Sequence, residues 1–163
     1  MQRVEKRLLG VYLNDHLAGA VAGEELAKRC LSRNREPPLG TFLSRLVSDV
    51  HDDRETLERL MGQLGVALDP WKRSASWALE KIGRLKLNGG HVVYSDLSRL
   101  EELESLCLGV EGKACMWRAL GSFLSEAPEA HGFDFMELES RATSQREQLE
   151  EHRLEAAGRL LRG

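Results

Sequence analysis

Cysteine is scarce and unpaired in this 163-residue chain, which has Cys30, Cys107 and Cys115 and no Cys-x-x-Cys pair. An odd set with that spacing excludes a disulfide framework and a zinc knuckle as the basis of stability. Cys107, among apolar residues at helical spacing, reads as a small buried hydrophobe. A basic excess is missing too. The net charge is −3 with both signs interspersed, so no face is set to neutralise phosphates, and nucleic acid is not an expected partner. No stretch approaches the ~20 apolar residues of a membrane span. The start, Met1-Gln2-Arg3-Val4-Glu5-Lys6-Arg7, leads into an amphipathic segment without a cleavable signal, so the expectation is a cytoplasmic protein with no membrane partner. Nothing alternates with the period of a strand, and the expected class is all-α.

What is present is helical periodicity, punctuated by proline and glycine. The length suits one domain spanning residues 1–163. Helices are expected at about 3–33, 41–64, 70–87, 96–126 and 134–161. The first carries Val4, Leu8, Tyr12, Gly19, Ala22 and Leu26 on one stripe; Asn34 offers a left-handed stop and Pro37-Pro38 prevents continuation. The second has the cleanest stripe, Leu43, Leu46, Val50, Asp53, Leu57, Leu60 and Leu64, ended by Gly65 as a C-terminal cap.

Asp69-Pro70 reads as an N-cap with Pro at the first helical position, opening a shorter amphipathic helix through Trp71, Ala75, Ala78, Ile82 and Leu85. Ser98 and Glu101 can form a capping box for the next helix, whose stripe is Leu100, Leu103, Cys107, Val110, Ala114, Trp117, Gly121 and Leu124. Pro128 closes it. Asp134 with Glu137 opens the last helix, with Phe133 placed to staple onto Leu138. Its stripe runs Leu138, Ala142, Gln145, Leu149, His152, Ala156 and Leu160. Short connections make the first and second helices one antiparallel hairpin, and the last two another. The long link between the hairpins can run the height of a bundle, which lets the second and third main helices lie parallel.

Polar residues interrupt these stripes at mid-height. Asn14-Asp15-His16 breaks a first-helix run that is otherwise apolar or small from Leu8 to Ala22, and Asp53 sits at the centre of the second helix. Glu111 flanks the stripe of the third main helix, while Gln145 and His152 face inward from the last. Imidazoles and carboxylates of this kind suit zinc, manganese or iron, so the metal-ligand candidates are Asp15, His16, Asp53, Glu111 and His152. The preferred reading is a structural layer whose members satisfy one another, through an Asp15 to Arg54 or Asp53 to His16 contact.

Small residues form the other notable pattern. Ala18, Gly19, Ala20, Ala22 and Gly23 in the first helix match Gly109, Gly112, Ala114 and Gly121 in the third main helix. Glycine in a helix costs roughly 1 kcal/mol against alanine, so this many implies a close helix crossing. A dimer interface is the alternative, and a homodimer is the expected partner state.

The helix order, together with the run Asp53-Arg54-Glu55-Thr56-Leu57-Glu58-Arg59-Leu60-Met61, resembles the ferritin-like superfamily. The resemblance implies an up-down four-helix bundle with a long crossover, here containing an extra short helix, and a di-iron or di-manganese centre in the bundle core. An unrelated five-helix bundle is the alternative. That family's signature includes a Glu-x-x-His pair from each of two helices. This chain has none: the residues three before its histidines are Leu13, Ser48, Asn88, Pro128 and Leu149, and three beyond Asp53 stands Thr56. The expected function is therefore a non-catalytic binding or assembly protein, with no certain cofactor. The alternative is a divergent iron- or manganese-binding bundle with redox or peroxide-related activity, and a third option is a small apolar ligand held between helices.

Overall fold

A computed structural model describes residues 3–69, 94–124 and 127–162 of the chain. Four long helices account for nearly all of them: α1 (Arg3–Arg33), α2 (Leu39–Gln63), α3 (Asp96–Leu124) and α4 (Phe135–Arg162). A 3-10 turn at Pro128–Ala130 precedes α4, and there is no strand among the described residues. The expected short helix at 70–87, with Trp71, Trp77 and the Gly89-Gly90 turn, lies outside the described residues. No helix among the described residues is long and apolar enough to cross a membrane.

Local chemistry explains most helix ends. α2 stops in a Schellman motif: Gly65 takes φ +61, its N–H donates to the Gly62 carbonyl, and the Val66 N–H reaches back to Met61. At the start of α4 the Asp134 carboxylate accepts the Glu137 N–H at 2.9 Å, so the expected N-cap is present. Two ends differ from expectation. α3 is capped by Ser95, whose hydroxyl accepts the Ser98 N–H at 3.2 Å, one turn before the Ser98 box. Asn34 is not left-handed, since no residue other than glycine has positive φ among the described residues. Its side chain does the stopping instead, donating to the Cys30 carbonyl at 2.9 Å and accepting from Arg99 at 2.6 Å.

Ion pairs and hydrogen bonds reveal the register. Between α3 and α4, Glu104 pairs with Arg153, Glu111 with Arg146, and Arg118 with Glu139, in seven-residue steps that rise on one helix and fall on the other. These pairs are substantially exposed and worth little individually, yet their spacing marks an antiparallel seam. α2 meets α4 antiparallel as well, with Phe42 against His152, Asp49 bonded to Gln145, and Asp53 held by Arg141. α1 is antiparallel to α2 through Glu24 and Arg54, and to α3 through Arg29 and Glu102. Going round the bundle the order is α1, α2, α4, α3, and the diagonal helices α2 and α3 run parallel, as the long link between the hairpins allows.

The whole second-helix stripe is buried, from Leu43 to Leu64, and packs with Leu103, Trp117 and Leu149 in one core. Burying one such leucine contributes about 1.5–3 kcal/mol. Helix α1 departs from its expected stripe. Leu13, Leu17, Ala18, Leu26, Ala27 and Cys30 are buried, whereas Leu8, Tyr12 and Gly19 are exposed. The inward face is rotated by about one residue, or 100°, from the one expected. The thiol assignment shifts similarly: Cys30 is the fully buried cysteine, pushed up to about 12 by burial, while Cys107 is only partly buried.

Candidate functional site

Six polar side chains are buried in the described core: Asn14, Glu24, Asn34, Asp53, Glu102 and Gln145. Each is satisfied. Asp53, 3% exposed, is gripped by Lys113 from α3 and Arg141 from α4. Lys113 also donates to Gln145 Oε1 at 2.6 Å, and Gln145 Nε2 donates to Asp49 at 2.9 Å. Burial holds the Lys113 ammonium below the usual lysine range, against the pull of Asp53. This is a cross-bundle clamp joining α2, α3 and α4. Neither expected contact for the acids is the one found: Asp53 takes Lys113 and Arg141 in place of His16, and Arg54 takes Glu24 at 2.8 Å and Glu58 at 2.9 Å.

The Asn14-Asp15-His16 triplet separates into three roles. Asn14 is buried and ties α1 to the chain leaving α2, donating to the Gly10 and Ala67 carbonyls and accepting the Asp69 N–H at 2.7 Å. Asp15 is exposed, because Leu13 and Leu17 aim inward and Asp15 lies about 200° round the helix from Leu13. His16 is half-buried with its ring edge-on to Tyr12, centroids 4.5 Å apart. Burial holds its imidazole below the ordinary histidine value, although neighbouring Asp15 pulls it upward. The imidazole is thus uncharged at neutral pH.

Of the five metal-ligand candidates, Asp15, His16 and Asp53 line one groove, while Glu111 and His152 lie elsewhere. Glu111 is exposed and pairs with Arg146 at 3.1 Å; His152 stacks near Phe42 and has Glu155 at 4.0 Å. No three His, Cys, Asp or Glu side chains among the described residues are grouped to hold a metal ion. The donor set does not fit a shared di-metal centre, since the central carboxylate is already neutralised by two cations.

The groove is the more distinctive feature. It encloses about 340 Å3 between α1 and α3, with Val50, Asp53, Arg54 and Leu57 of α2 contributing to its lining. From Tyr12 to Gly23 on α1 it extends about 16 Å at the helical rise. Beyond Gly23, Arg29 and Glu102 tie the two helices together at 2.9 Å. Gly19 and Gly23 of α1 face it across from Gly109 and Gly112 of α3. A Cβ added at any of these four would meet nothing within 4 Å among the described residues. Among the described residues, then, the expected close crossing is not made at these four positions. They hold two helices' side chains out of the space between them.

Several functional residues escaped sequence reasoning. Lys113 sits three residues after Val110 and four before Trp117, so it shares the inward stripe, and that spacing was a usable signal. Arg141 precedes buried Ala142 and reaches in from the edge. Glu24 and Glu102, each adjoining an apolar stripe, read as solvated charges until their cationic partners are seen. Glu24 is pushed up by burial but brought below the ordinary carboxylate value by hydrogen bonds from Lys28, Arg54 and His51. No protein family, curated protein or solved structure matches this chain.

Proposed function

We propose that this chain is a ferritin-like bundle that has exchanged a metal core for a charged clamp and acts as a non-catalytic binding protein, with the α1/α3 groove as its binding site. The observation that carries the reading is the groove itself: an apolar space of about 340 Å3 lined by four helix-interior glycines that no neighbour among the described residues requires. Those glycines together forgo roughly 4 kcal/mol of helix propensity. That is a large share of the ~5–15 kcal/mol by which domains are stable. An apolar cavity of ~150 Å3 suffices to hold benzene, and pockets of ~300–1,000 Å3 hold larger small molecules. The ferritin-like part of the reading is supported by the helix order and by the parallel diagonal pair α2 and α3.

Titration of the whole chain with the apolar dye Nile red tests the site. The expected result is saturable binding of one dye per chain, lost in Gly112→Leu and in Gly109→Leu, with both variants retaining the parent's helical circular dichroism and cooperative melt. Dye binding that survives both substitutions places the site elsewhere and ends the proposal.

A further inference from the structure

Resting on that reading of the groove as a binding site, we infer that its ligand is an uncharged, elongated apolar molecule that presents a single hydrogen-bonding group, such as a hydroxyl or carbonyl, to His16. Shape gives the first part. The groove runs along two antiparallel helices, and Val50, Leu57, Leu106, Val110 and Met116 make its buried apolar wall.

Charge gives the second part. Among the described residues, the cations that face the groove are already committed: Arg54 to Glu24 and Glu58, Lys113 to Asp53 and Gln145. A carboxylate or phosphate entering the groove would lose its hydration without gaining a free counter-ion among the described residues. A cationic head group finds no free carboxylate deep in the groove, because Asp53 is already held by Lys113 and Arg141. His16 lies between Asp15 and Tyr12 of its own helix, and Asp53 and Arg54 of α2 and Lys113 of α3 line the same groove. In that setting burial prevails over Asp15 and keeps the imidazole neutral.

The remaining polar capacity is specific. No hydrogen bond of the His16 ring nitrogens is made among the described residues, and its ring lies edge-on to Tyr12. A neutral imidazole offers one N–H donor and one acceptor nitrogen, which a hydroxyl or carbonyl can use without ionising.

The test is displacement of Nile red from the whole chain by 1-dodecanol, dodecanoate and dodecylamine, each below its aggregation concentration and near neutral pH. The expected result is that 1-dodecanol competes at about ten-fold lower concentration than either charged analogue, a difference of about 1.4 kcal/mol. His16→Leu should remove that advantage, read as the ratio of the competing concentrations of 1-dodecanol and dodecanoate in the variant itself. Dodecanoate or dodecylamine competing as well as the alcohol, with dye binding still sensitive to Gly112→Leu, overturns the inference about the head group and leaves the groove reading standing. Dye binding insensitive to Gly112→Leu overturns the groove reading itself. Dye affinity that falls as protein concentration rises, with sedimentation showing association, means that a second copy fills the groove and overturns the small-molecule ligand.

Discussion

Helix α3 has two sides that treat small residues in opposite ways. Toward α4 it is tightly seated: the Trp117 and Phe135 rings lie 6.4 Å apart, and a Cβ at Gly121 would stand 3.0 Å from the Phe135 Cβ. Along that side the Glu104, Glu111 and Arg118 pairs hold the register, and the contact between α3 and α4 is the most extensive in the described bundle. Toward α1, a Cβ at Gly109 or Gly112 would meet nothing within 4 Å among the described residues. One glycine admits a neighbour, and the others keep neighbours away. A run of small residues thus announces reduced bulk in either case, and only the position of the facing helix says whether the bulk was removed for contact or for room.

The comparison breaks first at the clamp. Asp53→Ala strands Lys113 and Arg141 without their shared carboxylate, and a cost of about 3 kcal/mol is expected in urea denaturation, since removing one partner of a buried pair leaves uncompensated charge. A cost under about 1 kcal/mol would mean that the clamp is solvated and the core boundary lies deeper. Enlarging the packed side comes next. Ala142→Leu, at a fully buried position of α4, should destabilise by about 1–3 kcal/mol through overpacking.

The same kind of enlargement on the open side should have the opposite sign. Gly19→Ala and Gly112→Ala are each expected to raise stability by up to about 1 kcal/mol, read as a higher melting temperature, because the added methyl meets no atom of the described residues and the helix gains propensity. Destabilisation by either would show that the groove closes in solution. The smallest effect concerns acid. Glu24 is held below the ordinary carboxylate value in the folded chain, so its contribution is present above the unfolded value of 4.5 and fades as pH falls through the folded one. Glu24→Gln should therefore be less stable than the parent at neutral pH, with the gap narrowing in acid; a gap constant with pH would assign the loss to packing.

Legibility followed the contrast between polar and apolar positions. α2 alternates leucines with charges, and every member of its expected stripe, Asp53 included, is buried. α1 is apolar or small around much of its circumference, so two faces competed and the reading fell one residue off, exposing Leu8, Tyr12 and Gly19. The candidate site suffered accordingly. Asp53 was legible from its stripe, yet its partners Lys113 and Arg141 lie 60 and 88 residues away in sequence, and nothing local pairs them with it. Glu111 and His152 were inferred from mid-height positions, but height along a helix does not fix rotation about it.

The sequence by itself determined an all-helical chain, the hairpin order of its helices, the Asp134 cap, the Gly65 stop and the polar break at Asn14-Asp15-His16, because each rests on interactions within a few residues. Tertiary structure alone decided that the triplet divides into a tether, a rim acid and a neutral imidazole, and that Asp53 is clamped by two cations. It also decided that, among the described residues, Gly19, Gly23, Gly109 and Gly112 line a groove in place of packing on one another. Those outcomes depend on the distance and rotation between helices, set by the packing of the whole core, and side chains far apart in sequence meet only when that packing is complete.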